Sequence, residues 1–170
     1  MSFGPLSGGG TITLSPGTYV LAGGGLTVNS TANITGVGVT FYNTASTSGN
    51  SWGCPFNTSH APITFSGQGA VILQAPTTGS QVGMLFFDDR SIYDSRNNKI
   101  VGGASSTFDG ALYFRNSPLT FGGSNSTSGY MVLVANTVNI NGTSSIGNNY
   151  ATLSDPNPFA PSSTGGGLVE

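Results

Sequence analysis

Charge in this chain is concentrated in one place. The segment Asp88-Asp89-Arg90-Ser91-Ile92-Tyr93-Asp94-Ser95-Arg96-Asn97-Asn98-Lys99 holds six of the ten charged residues. Three aspartates and neighbouring asparagines are the oxygen donors that a divalent cation takes. Their spacing, however, matches neither a helix-loop-helix calcium loop nor a Gly-Gly-x-Gly-x-Asp repeat. Carboxylates are also the groups that cleave polysaccharides by acid–base chemistry. Adjacent residues on a strand point to opposite faces, so Asp88 and Asp89 cannot face one another. Asp109 or Arg115 from a neighbouring strand would have to join one of them. The simplest reading is a solvated excursion with internal Asp–Arg pairs, each worth little. The candidate binding residues are therefore Asp88, Asp89, Arg90, Asp94, Asp109 and Arg115. No catalytic residue, metal-ligand set or cofactor is assigned.

His60 is the single histidine and Cys54 the single cysteine, six positions apart in a segment that also holds Trp52 and Phe56. A histidine without partners in sequence gives neither a triad nor a metal cluster. The pair superficially suggests a thiol nucleophile, but no third orienting group is indicated, so a packed loop is expected. One cysteine makes no internal disulfide. Asn-x-Ser/Thr sequons begin at Asn29, Asn33, Asn57, Asn125 and Asn141, as an Asn/Thr-rich composition produces on its own. Gly8-Gly9-Gly10 and Gly23-Gly24-Gly25 lack the lysine and helix of a phosphate loop and read as chain corners.

The elements that position these residues are short and repetitive. One unit alternates apolar and polar residues: Leu26-Thr27-Val28, Ile63-Thr64-Phe65, Ile100-Val101-Gly102, Leu119-Thr120-Phe121 and Val138-Asn139-Ile140. The last three begin 19 residues apart, and Ile63 precedes Ile100 by 37. A second unit starts at a glycine and runs on through apolar residues, from Gly38, Gly69, Gly83, Gly110 and Gly129. It follows the first unit by ten residues at both Ile100 and Leu119. Repetition on this scale predicts an all-β, single right-handed parallel β-solenoid with rungs of about 19 residues, preferred over an antiparallel sandwich. Residues 1–153 would form it, with an irregular insertion at 43–62 and the charged excursion at 88–99. A Pro/Gly/Ser-rich tail would follow at 154–170.

In the first unit the middle residue would face solvent, giving an outward file of Thr27, Thr64, Val101, Thr120 and Asn139. An ice-binding face needs paired ranks of threonine, and this file is single and interrupted. The second unit is apolar on both faces, so a row such as Leu85, Leu112 and Met131, or its alternate, would face outward. Either the chain covers that row with the Trp52 region or the tail, or the row docks a partner.

Composition narrows function. Gly, Ser, Thr and Asn make up half of the 170 residues, Glu and Lys occur once each, and charged residues are 6%. That excludes a helical bundle, since the strong unbranched helix formers are scarce. Four basic residues are too few to neutralise a run of phosphates, which excludes nucleic acid as partner. A hydrophobic content of 36% with a net charge of −2 argues against disorder. No apolar run has membrane-spanning length, and Met1-Ser2-Phe3-Gly4-Pro5 does not open a signal peptide.

Several phrases together resemble a known kind of domain. These are Leu14-Ser15-Pro16-Gly17-Thr18-Tyr19-Val20, Gly24-Gly25-Leu26-Thr27-Val28, Gly36-Val37-Gly38-Val39-Thr40-Phe41-Tyr42, Gly83-Met84-Leu85-Phe86-Phe87-Asp88-Asp89-Arg90, Gly110-Ala111-Leu112-Tyr113-Phe114 and Ser126-Thr127-Ser128-Gly129-Tyr130. Over about residues 11–150 they resemble the C-terminal repetitive region of TadG-like proteins of bacterial tight-adherence (Flp) pilus assembly. The resemblance implies an extracellular or cell-envelope location and a role in surface assembly or adhesion, and it carries over no catalytic residue. The expected function is thus a non-enzymatic structural or adhesive surface module. Its partners would be envelope or pilus protein domains, further copies of itself, or a carbohydrate surface. A polysaccharide-binding or polysaccharide-cleaving β-helix is the first alternative, and an ice-binding solenoid the second. So low a charge predicts contacts insensitive to salt.

Overall fold

A computed structural model describes residues 9–29, 31–45, 60–103, 105–126 and 129–151. Trp52, Cys54, Phe56 and the tail at 154–170 lie outside the described residues. The strands are β1 (Thr11–Leu14), β2 (Gly17–Ala22), β3 (Leu26–Val28), β4 (Asn33–Val37), β5 (Val39–Thr44), β6 (Ile63–Phe65) and β7 (Val71–Gln74). They continue as β8 (Met84–Asp88), β9 (Asn98–Gly102), β10 (Thr107–Phe114), β11 (Leu119–Gly123), β12 (Met131–Ala135) and β13 (Val138–Ile140). Every ladder between them is parallel.

The fold is all-β and parallel, but the expectation of a single right-handed β-solenoid with 19-residue rungs is corrected. The strands form two sheets, one of eight strands in the order β1-β4-β7-β10-β8-β5-β2 with β12 beside β10, and one of five in the order β13-β11-β9-β6-β3. No single period relates them. Leu119 pairs with Val138, 19 positions on, whereas Leu26 pairs with Ile63, 37 on, and Phe41 with Phe86, 45 on. Long connections between short strands break the repeat that the sequence suggested.

Two of the proposed alignments also shift. Leu119 pairs with Asn98 rather than Ile100, so Asn98 takes the inward position occupied by Leu26, Ile63, Leu119 and Val138 in the other strands. The Gly69 segment becomes β7 and pairs with β4 and the first part of β10, whereas the Gly38, Gly83 and Gly129 segments lead into β5, β8 and β12.

Strand β10 joins the two arms of the larger sheet. Thr107–Asp109 pair with β7, and Gly110–Phe114 pair with β12, with β8 alongside from Ala111. The bend falls at Gly110, where φ is +137° and an added Cβ would lie 2.7 Å from the Cβ of Ala75 and 2.9 Å from that of Leu85. Only glycine meets both conditions without strain. Both arms and the smaller sheet then turn apolar rows toward one core. Phe65 of the smaller sheet contacts Phe86 of one arm and Phe108 of the other, with ring centroids 5.9 and 5.7 Å apart. Phe41, Phe86 and Phe114 stack in a column beside them. At the far edge the core is open: Val138 and Ile140 of β13 are 43% and 55% exposed, whereas Leu119 and Phe121 beside them are 1% and 0% exposed.

Leu85, Leu112 and Met131 are buried, so they do not form the outward wall considered above. A register shift between Ala111 and Leu112 sets Leu112 opposite Phe86, and the alternate residues Met84, Phe87 and Tyr113 are half-buried. The outward file of the smaller sheet reads Thr27, Thr64, Lys99, Thr120 and Asn139. A lysine interrupts its centre in place of the expected Val101, so the file offers no flat threonine array. No helix among the described residues is long and apolar enough to cross a membrane.

Candidate functional site

The end of β8 carries polar groups on both faces of the sheet. Its inward column runs Phe86 then Asp88, beside Phe41 then Asn43 of β5. The apolar core therefore ends in a buried asparagine and a buried aspartate. His60, three residues before β6, lies between two carboxylates. Its Nε2 is 2.7 Å from Asp88 Oδ1 and its Nδ1 is 2.8 Å from Asp94 Oδ2. A neutral ring would turn one nitrogen lone pair toward a carboxylate oxygen, so the two carboxylates favour the imidazolium with both N–H groups donating, against one opposing donor, Asn43 Nδ2, 2.8 Å from Nε2. Burial opposes that charge, but the hydrogen bonds to Asp88 and Asp94 and their charges outweigh it and raise the His60 pKa above its ordinary 6.5.

The surrounding groups complete the cluster. Asn43 Nδ2 donates to Asp88 Oδ1 and to the Ala61 carbonyl, both at 2.9 Å. Ser117 donates to Asp88 Oδ2 at 2.9 Å and accepts from Asn98 Nδ2 at 2.9 Å. Asn98 Oδ1 accepts the Ile63 amide at 2.8 Å, which accounts for an asparagine at an otherwise apolar position. Arg96 donates through Nη2 to Asp94 Oδ2 at 2.7 Å and also to the His60 carbonyl. Burial opposes ionisation of Asp94, but Arg96 and His60 prevail and hold its carboxyl at about 2. All four carboxylate oxygens of Asp88 and Asp94 thus accept hydrogen bonds. The expectation of an isolated His60 in a packed loop is corrected. It is packed, with 5% exposure, but it ties β5, β8 and the 88–97 excursion together.

Asp88 and Asp89 do diverge. Asp89 faces outward and accepts from Tyr42 OH and Thr44 Oγ1, each at 2.8 Å, and from the amide and hydroxyl of Ser91 at 2.9 and 2.7 Å. Partial burial opposes its charge, and the donors from Ser91, Thr44 and Tyr42 overcome this and hold it at about 2. Beside it runs an outward aromatic ladder. Tyr42 and Phe87 have centroids 5.6 Å apart, and Phe87 and Tyr113 stack at 5.3 Å with planes 8° apart. The Arg90 guanidinium lies 5.5 Å from the Phe87 centroid and 5.9 Å from that of Tyr113, within the range of a cation–π contact. Asn116 donates to the Arg90 and Ile92 carbonyls at 2.7 and 3.2 Å, bringing the turn that bears exposed Arg115 alongside.

Thr18, Thr40, Tyr42, Gln81, Met84, Phe87 and Arg90 line a groove of about 440 Å³ on this face. A second concavity of about 460 Å³ continues it between Pro16–Thr18 and the 76–81 loop, sharing Thr18 and Gln81. Asp109 belongs to neither assembly. It is buried and accepts from Gln74 Nε2 at 3.2 Å and the Gly129 amide at 2.9 Å. The six candidates thus divide into Asp88 and Asp94 in the buried cluster, Asp89, Arg90 and Arg115 on the outward face, and Asp109 apart. Among the described residues no three His, Cys, Asp or Glu side chains are arranged to hold a metal ion. Comparison with protein-family models, curated proteins and solved structures gives no match to this chain. Its chemistry therefore rests on the residues themselves.

Sequence reasoning left His60 without partners and missed Asn43, Asn98 and Ser117, because the groups they bond lie 17 to 45 positions away. The available signal was a polar residue breaking an inward apolar column, at Asn43, Asp88 and Asn98.

Proposed function

We propose that this chain is a non-enzymatic adhesive module of a bacterial envelope or pilus-associated surface, and that it adheres through the outward face of the larger sheet. The observation that carries the reading is the ladder of Tyr42, Phe87 and Tyr113 with Arg90 over it, of which Tyr42, Phe87 and Arg90 line an open groove. Concave, mostly apolar surfaces with a few placed polar groups are where proteins bind ligands. The buried cluster supports the same reading from the opposite direction. His60 and Asp88, at 5% and 2% exposure, have no face open to a substrate, so their role is to clamp the excursion that supplies Arg90. Cleavage of a polysaccharide would need an acid and a base turned to the groove. Among the described residues Asp89 alone reaches that side, and it already accepts four hydrogen bonds.

Labelled protein is expected to bind isolated bacterial envelopes saturably, and Phe87→Ala and Tyr113→Ala are expected to weaken this about tenfold while leaving the melting profile nearly unchanged. Undiminished binding by both variants would refute the assignment of the adhesive face.

A further inference from the structure

The shape and charge of the groove specify a ligand class, and we infer that it is a glycan chain bearing carboxylates, of the uronic-acid type. This deepens the adhesive reading and rests on it. The two concavities share Thr18 and Gln81 and so adjoin, and two adjoining concavities suit successive units of a linear polymer better than one compact molecule. Their walls combine aromatic rings with threonine hydroxyls and a glutamine amide. A pyranose ring offers the complement, with apolar C–H faces and a rim of hydroxyl groups.

Charge then selects among glycans. The chain has four lysine and arginine residues. Arg96 is engaged by Asp94, and Lys99 lies in the outward file of the smaller sheet. Of the other two, Arg90 lines the groove and Arg115 is exposed in the turn beside it. No carboxylate among the described residues pairs with Arg90, and its guanidinium lies within cation–π range of Phe87 and Tyr113. Arginine there offers a planar fork that matches a carboxylate. Asp89 is the acid on this side, and its charge is taken up by Tyr42, Thr44 and Ser91. Binding carried by Arg90 weakens with added salt, so salt-insensitivity belongs to the aromatic part of the contact only.

The test is calorimetric titration of the full chain with oligogalacturonate and with the same oligomer after reduction of its carboxyl groups to alcohols. The acidic oligomer is expected to bind. Arg90→Gln is expected to weaken it about tenfold, as is Phe87→Ala, and the reduced oligomer should bind far more weakly. Arg90 is exposed, so unchanged melting of Arg90→Gln confirms an intact fold. Equal binding of the acidic and reduced oligomers would overturn the uronate class. So would absence of binding to either, and in both cases adhesion survives if envelope binding still depends on Phe87. Envelope binding indifferent to Phe87→Ala would remove the adhesive reading and the ligand class together.

Discussion

Replacing His60 by alanine probes the clamp directly. Asp88 and Asp94 would then face a common space without the cation between them, and Asp88 at 2% exposure could not regain water. Removing one partner of a buried ion pair costs about 3–5 kcal/mol. A chain of this size loses about 2–4 °C of Tm per kcal/mol, so the expected fall is roughly 6–20 °C. Its pH dependence is the sharper test. The His60 pKa is raised on folding, so its contribution is fully present below 6.5 and lost as pH rises through the folded value. Asp94 moves from 3.8 to about 2, so its contribution is present above 3.8 and lost as pH falls toward 2. The gap in Tm between wild type and His60→Ala, followed by far-ultraviolet circular dichroism, should therefore be widest between about pH 4 and 6.5 and narrow as pH rises through the folded His60 value. A gap under about 2 °C, or one that widens as pH rises above 6.5, would refute the imidazolium clamp.

Other positions give equally direct outcomes. Asn98→Leu restores the residue type of its neighbours in the column but orphans the Ile63 amide and Ser117; it should cost about 1–3 kcal/mol in urea denaturation. Gly110→Ala, strained in φ and pressed on Ala75 and Leu85, should cost at least about 1–3 kcal/mol, while Gly10→Ala, with open space around it, should stay within about 1 kcal/mol either way. Phe121→Ala should cost about 3–5 kcal/mol, whereas Ile140→Ala at the open edge should cost under about 1 kcal/mol. Tyr130 is pushed up to about 12 by burial and by the charges of Asp109 and Tyr150, so ultraviolet titration should show a tyrosine ionising well after an unperturbed one.

The sequence carries its local structure openly and its long-range structure poorly. Alternation in Leu26-Thr27-Val28 and Leu119-Thr120-Phe121 marks short strands because inward side chains must be apolar. The 19-residue spacing of Leu119 and Val138 is a true register. It does not extend backward, because Asn98 fills an inward position by hydrogen bonding where a periodicity search expects Ile100. The clamp was hidden for a related reason. His60 gains its partners only when β5 and β8, whose paired residues are 45 positions apart, come side by side. Asp88 and Asp89 were legible as divergent, since strand geometry alone separates them.

Among the described residues no two strands consecutive in sequence pair with each other. Every ladder between them waits for chain that lies at least 19 residues further on, and none of them forms a hairpin that could close early. Such nonlocal topology places folding in the slow, millisecond-to-second regime, so stopped-flow refolding should recover the full signal change with no burst-phase amplitude lost in the dead time. A chain emerging end-first from a ribosome or an export channel would present each new strand to partners already laid down, giving its assembly a natural direction from β1 toward β13.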